Sequence, residues 1–225
     1  MTVHGQDGPA RDWIRSYAAR RGRRSALTLE RVHRFLPERG IPDGPLDPAT
    51  AFGRVAPVVL EIGSGHGAAA IAYCQVHPEH DLLAVDVHTP GIARMMAAAH
   101  EAGVANLKVA MGDAVFVLRD RLAAGSLHAV HLFFPDPWPK ERHAKRRFVG
   151  PVTLDLIASR LAAGGVLRVA TDQDFYAAHT LSALAAHGGW DVRVGDRPPW
   201  RPTDGFEGKG LAAGRAIHDI SASRS

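Results

Sequence analysis

From Val58 onward, apolar residues come in short, nearly unbroken bursts: VVLEIG (58–63), LLAVDV (82–87), LKVAM (107–111), AVHLFF (129–134) and GVLRVAT (165–171). Each burst has the length of a strand and is rich in Val, Leu or Ile. None shows the alternation of a sheet with one wet face, so they read as strands buried on both faces. Between them lie helix candidates at 67–77, 90–102, 114–124, 148–162 and 173–187. Strict alternation with crossovers of this length predicts a parallel, doubly wound sheet. The rhythm then breaks. WDVRVG (190–195) and RAIHDIS (215–221) are both strand-like, and the loop between them carries no helical pattern. Strands joined without a crossover helix pair antiparallel. The predicted fold is α/β: a doubly wound, seven-stranded, mostly parallel sheet with its last strand antiparallel, Rossmann-like in plan.

The first 54 residues have a different texture. An Arg-rich start is followed by a possible short helix, ALTLERVHRFL, and then by PERGIPDGPLDPATAFGRVAP, which packs five prolines and three glycines into 21 residues. This reads as a linker or wrapped loop. The expected division is a basic, partly flexible extension and linker over 1–54 and a catalytic-type α/β domain over 55–225.

Composition narrows the class. Hydrophobic residues make up 46% of the chain, an ordinary globular share. No apolar run approaches the roughly 20 residues that cross a bilayer, and MTVHGQDGPARDW lacks the apolar core of a secretion signal. A cytoplasmic protein without membrane contact is expected. Cys74 is the only cysteine, which excludes a disulfide framework and reads as a buried, inert thiol. Thirteen histidines are present without an HExxH arrangement, so no metal is expected.

Charge changes the picture more. Residues 11–24 hold six Arg and one Asp, and residues 140–147 hold five Lys or Arg and one Glu. With a net charge of +4, the remainder of the chain sums to −5. Positive charge gathered in two short segments on a mildly acidic body points to a polyanionic partner.

In an open α/β sheet, ligands bind beyond the carboxyl ends of the strands. The first strand ends in LEIGSGHGAA, with Glu61 ahead of Gly63, Gly65 and Gly67. Glycines there permit a tight turn and close ligand approach against the next helix. The second strand ends in Asp86, placed to accept from both hydroxyls of an adenosine ribose. After the third comes GDAVFVL, where Asp113 and the backbone of Ala114 can take an adenine, although an Asp before a helix also serves as an N-cap. NAD and S-adenosylmethionine share these needs. Glu61 favours the latter, since its charge suits the ammonium of a methionine moiety and opposes a pyrophosphate. The fourth strand delivers Asp136 on the rigid PDPW turn, where a methyl acceptor would arrive. The fifth delivers Asp172, with Asp174 close by; Asp172 can equally cap a helix.

The segment FPDPWPKERHAKRR resembles the hallmark of bacterial tRNA (guanine-N7)-methyltransferases. LEIGSGHGAA, VDVHTPG, GDAVFVL and ATD resemble the same family in order and spacing, as do IRSYAARRGR and FEGKG…GRAIHDI. The resemblance implies a class I methyltransferase fold, S-adenosylmethionine as cofactor with S-adenosylhomocysteine as product, no metal, tRNA as partner and no obligatory protein partner. It implies that Glu61, Gly63, Gly65, Asp86, Asp113 and Ala114 hold the cofactor and that Asp136 is the catalytic carboxylate. Lys140, Asp172 and the closing segment Thr203, Asp204, Phe206 and Glu207 would contact the guanine. Arg15, Arg20, Arg142, Lys145, Arg146 and Arg147 would run along the RNA. Thr203 stands one residue further from Phe206 than in the family's closing motif, so Asp204 competes for that slot. Two alternatives remain at this stage: a methyltransferase acting on another nucleobase or a protein amino group, and a non-catalytic RNA-binding protein on the same scaffold.

Overall fold

The computed structural model describes Tyr17, residues 25–203 and residues 205–224. Arg15, Arg20 and Asp204 lie outside the described residues. In chain order the elements are α1 (Ala26–Arg39), α2 (Pro48–Phe52), β1 (Val58–Ile62), α3 (Ala68–Val76), β2 (Asp81–Asp86), α4 (Thr89–Glu101) and β3 (Leu107–Met111). A short α5 (Ala114–Phe116) runs into a π-helical segment, Val117–Arg121, before β4 (Leu127–Phe133). A 3-10 segment, Glu141–Arg146, then leads to α6 (Pro151–Arg160), β5 (Leu161–Thr171), α7 (Asp174–His187), β6 (Trp190–Gly195), α8 (Gly205–Ala212) and β7 (His218–Arg224).

The sheet has seven strands in the order β3-β2-β1-β4-β5-β7-β6. β1 to β5 pair in parallel, and β7 runs antiparallel between β5 and β6. The order reverses at β1 and β4, which opens the crevice where doubly wound sheets take ligands. Both faces are dry near this point: Leu60, Leu83, Val130 and Leu167 pack under α6 and α7, while Val59 and Leu82 pack under α3 and α4 in a cluster that includes Met95 and Met96 of α4. Among the described residues no helix is long and apolar enough to cross a membrane.

From Ser25 on, the segment set apart by composition packs onto the β3 edge. The Ser25 hydroxyl accepts from Thr28 N to cap α1, an N-cap that satisfies an otherwise orphaned amide. Arg39, 4% exposed, donates to Val104 O at 2.8 Å, and Ile41 N donates to Val109 O at 3.1 Å. Ile41 and Leu46 enter the core beside the sheet.

Three boundaries differ from the sequence reading. The expected helix 114–124 is a single α-helical turn continued by the π segment. β5 begins at Leu161, with a register shift against β4 that the apolar run from Gly165 does not reveal. The loop expected to be free of helix between β6 and β7 contains α8, and β7 starts at His218 instead of residue 215. GFEGKGLA holds three glycines and no apolar stripe, so neither propensity nor periodicity marks it. What holds the helix is a buried ionic contact described below.

Candidate active site

One half of the candidate site is built on β1, β2 and β3. Glu61 is 2% exposed, and its Oε2 has no hydrogen-bond partner. Burial, reinforced by the neighbouring Asp86 charge, pushes its carboxyl up to about 8. A buried acid left unpaired is unfavourable unless a cation completes it. The loop after β1 is left-handed at Gly63, Gly65 and Gly67, with φ of 73°, 57° and 82°. A Cβ on Gly67 would sit 2.1 Å from Met95 Cγ, while one on Gly63 or Gly65 would meet nothing within 4 Å. The loop is thus pressed against α4 underneath and open above, as a cradle for a ligand must be.

Asp86 fixes this loop. Its Oδ2 accepts from Gly65 N at 2.8 Å and its Oδ1 from His88 N at 2.7 Å. Each carboxylate oxygen has a second lone pair, so the same side chain can still accept from a ribose. Asp113 holds the N-cap of α5 and accepts from Val115 N at 3.0 Å, the capping role that its place before a helix suggested. Ala114 follows it, 8% exposed, and Gly112 N bonds Asp86 O, which brings the second and third tips together.

The other half is built on β4 and β5. Phe134 and Trp138 bracket the PDP turn in the left-handed region, with φ of 50° and 45°. Such conformations cost about 1–3 kcal/mol each in a residue with a side chain, so the surroundings must overdetermine them. They do: Phe134 N donates to Ala170 O at 2.8 Å, Arg147 Nη2 donates to Trp138 O at 3.4 Å, and the Arg146 guanidinium lies 4.1 Å above the Trp138 ring. Asp136 is exposed at the crest. Its charge reaches the buried Tyr176 hydroxyl, which is raised by burial foremost and by Asp136 among lesser causes.

The basic tract divides in two. Arg146 and Arg147 are half-buried; Arg147 Nε is buried without a partner, and its guanidinium also lies 5.3 Å from the Phe175 ring. These two arginines hold the turn. Lys140, Arg142 and Lys145 are exposed and project from the 3-10 segment towards solvent, a geometry that suits phosphate contact. Asp172, at the end of β5, pairs with Arg215 at 2.7 Å and accepts from Gln173 Nε2 at 3.1 Å. Partial burial opposes ionisation, but these two donors outweigh it and its carboxyl is lowered. It does not cap α7, whose N-cap is Gln173. Asp174 instead meets His218 at 2.7 Å.

Five acids therefore lie at or just beyond the carboxyl ends of the five parallel strands, two of them beside a glycine cradle and one on a strained, exposed turn. A family described as "Putative methyltransferase" matches residues 55–220. The tRNA (guanine-N(7)-)-methyltransferase of Nitrosomonas eutropha is 40% identical over 92% of this chain and 95% of its own. That of Aeromonas hydrophila is 41% identical over 97% and 95%. The chain belongs to the tRNA (guanine-N7)-methyltransferase family. Its fold is also that of the 16S rRNA methyltransferase KamB, with a TM-score of 0.59 at 17% identity over 83% of this chain and 99% of that one.

In this methyltransferase the closing segment is arranged in a way that sequence reasoning missed. Thr203 and Phe206 are exposed, and Lys209 Nζ lies 5.3 Å from the Phe206 ring. Glu207 turns inward and is 2% exposed. Its Oε2 takes Arg201 Nε at 2.7 Å and its Oε1 takes Arg197 Nε. Arg201, equally buried, also forks onto Asp219 of β7, and its guanidinium lies 5.1 Å from the Phe133 ring and 5.7 Å from that of Phe134. Gly210 of α8 abuts Asp172, where a Cβ would approach within 2.9 Å. Arg201, Arg197, Arg215 and Asp219 thus tie the closing segment to β7 and to Asp172. A charged residue in a proline-rich loop carries no periodic signal, so Arg201 could not be found that way; His131, 0% exposed inside β4, at least interrupts an apolar run.

Proposed function

We propose that this chain transfers a methyl group from S-adenosylmethionine to N7 of a guanine in the variable loop of tRNA, in the cytoplasm. The observation that carries the reading is the unpaired, buried Glu61 carboxyl beside the open glycine cradle, on the strand next to the one that leads to the exposed carboxylate of Asp136. Full-length similarity to enzymes of that name supports the choice of acceptor.

Glu61, Asp86, Asp113 and the loop at Gly63 and Gly65 would hold the cofactor, Glu61 by meeting its ammonium and Asp86 by accepting from its ribose. When bound, S-adenosylmethionine supplies an electrophilic sulfonium methyl and leaves as S-adenosylhomocysteine. Guanine N7 carries a lone pair and no proton, so the chain needs no general base. It needs alignment of the acceptor and a fixed negative charge beside a base that becomes cationic. Asp136 would supply that charge, and Asp172, on the tip of the next strand, and Lys140 would contact the substrate. Lys140, Arg142 and Lys145 give sequence-independent backbone affinity. Selection of one guanine then falls to tRNA shape and to a splayed-out base.

The test is incubation with methyl-labelled S-adenosylmethionine and unmodified tRNA, followed by strand cleavage at N7-methylguanosine. Label on another base, on protein or nowhere would refute the reading.

Two further outcomes are expected. At neutral pH the free Glu61 carboxyl keeps its proton, since its value lies near 8. Pairing with an ammonium ionises it, so cofactor binding should release about one proton per site. Calorimetry in buffers of differing ionisation enthalpy reads this directly; Glu61→Gln should abolish the release, and an unchanged proton count would contradict the pairing. Replacing Lys140, Arg142 and Lys145 together by Ala should lower the slope of log affinity against log salt by about two to three. An unaltered slope would return the segment to a merely solvated face.

A further inference from the structure

At the end of the sheet opposite the methyl-transfer site, α3 stops at Val76 and the turn His77-Pro78-Glu79-His80 leads into β2. His77 Nδ1 lies 3.1 Å from Glu79 Oε1, and His80 Nε2 lies 3.8 Å from the same oxygen. All three donor atoms fall within 4.8 Å of one another, the one such set of His, Cys, Asp and Glu among the described residues. An ion held tetrahedrally at bonds of about 2.0–2.1 Å places its ligand atoms roughly 3.3 Å apart. The two separations to the Glu79 oxygen, 3.1 and 3.8 Å, bracket that value, so side-chain adjustment can close the set on a cation.

A second, independent observation is Tyr73. Its hydroxyl lies 2.6 Å from His80 Nδ1. A metal-binding histidine has its other ring nitrogen held by a polar neighbour, which fixes tautomer and ring direction. With Nδ1–H donated to Tyr73, Nε2 presents its lone pair towards Glu79. The rings are held as well: Tyr73 packs on His77 at 4.4 Å, and the two imidazoles stack at 5.3 Å with 13° between planes. His128 brings a further imidazole, with its centroid 4.9 Å from that of His80. The side chains of His77, His80 and Glu79 are 30%, 16% and 60% exposed, which leaves an entry path.

We propose that His77, Glu79 and His80 bind a divalent transition-metal ion of the Zn2+ type. Two imidazole nitrogens and one carboxylate oxygen suit a borderline ion over Mg2+ or Ca2+, which favour oxygen alone. Bound there, the ion ties the end of α3 to the start of β2. It takes no part in methyl transfer, whose groups occupy the carboxyl ends of the strands.

The experiment is calorimetric titration of the tag-free full chain with zinc chloride at neutral pH, alongside thermal unfolding with and without Zn2+. One saturable site is expected, with a raised unfolding midpoint. His77→Gln, His80→Gln and Glu79→Gln should each weaken it at least tenfold, and His33→Gln, on exposed α1 surface, should not. Glu79 is exposed enough that its replacement does not endanger folding, so the proposal stays testable if a histidine variant fails to fold. No saturable binding, or affinity unchanged in Glu79→Gln, would overturn it.

Discussion

Asp136→Ala should reduce methyl transfer to tRNA by at least about 100-fold and leave cofactor affinity unchanged. The carboxylate stands on a turn held rigid at two left-handed residues, Phe134 and Trp138, by a strand amide, a carbonyl contact from Arg147 and the stacked Arg146. That rigidity matters because the acceptor acquires its charge during the reaction. A dipole or charge already in place responds without reorganising, and this is where protein electrostatics gain over water. The cofactor groups lie on other strands, so their contacts survive the change. Asp136→Asn separates two contributions: it keeps an acceptor for the guanine edge and removes the charge. A rate near that of Ala assigns the effect to charge, and a rate near wild type assigns it to hydrogen bonding. Single-turnover transfer at saturating tRNA, with cofactor binding measured separately, distinguishes them. Undiminished transfer by Asp136→Ala would remove the residue from the mechanism.

Arg201→Ala should destabilise the protein by about 3–5 kcal/mol. Arg201 and Glu207 are each 2% exposed, and the Asp219 side chain is 12% exposed. Deleting the shared guanidinium leaves two acids in a low-dielectric setting with Arg197 alone to balance them, and such uncompensated charges are costly. Arg201→Lys should recover little, because an ammonium cannot fork onto Asp219 while also bonding Glu207. Denaturant unfolding measures the loss. Since Arg201 joins β7 to α8, and α8 abuts Asp172, tRNA affinity should fall further than cofactor affinity. A variant of wild-type stability would show that the network is not holding the wall.

The parallel half of the sheet was legible because both of its faces are buried, and buried strands write themselves as continuous Val, Leu and Ile. Glu61, Asp86 and Asp136 were legible for a related reason: an acid at the end of an apolar run is conspicuous. The closing wall was not. α8 is rich in glycine and owes its place to Glu207 and Arg201, a contact between residues six apart whose energy depends on burial and not on pattern. Arg146 and Arg147 looked like their neighbours in sequence. Only the turn beneath them separates two arginines that pack from three basic residues that reach outward.

The glycine loop has a consequence for the cost of binding. Gly63 N is bonded to Val85 O and Gly65 N to Asp86, so these two cradle amides are fixed by the fold before any ligand arrives. The ordering of those two positions is met in folding and does not recur on binding. Under the proposed function Lys140, Arg142 and Lys145 are the reverse case: each would give up rotamer freedom as an RNA seats, about 0.5–1.5 kcal/mol per side chain. One substrate would then enter a prepared socket, and the other would be met by a surface that takes its form only in the encounter.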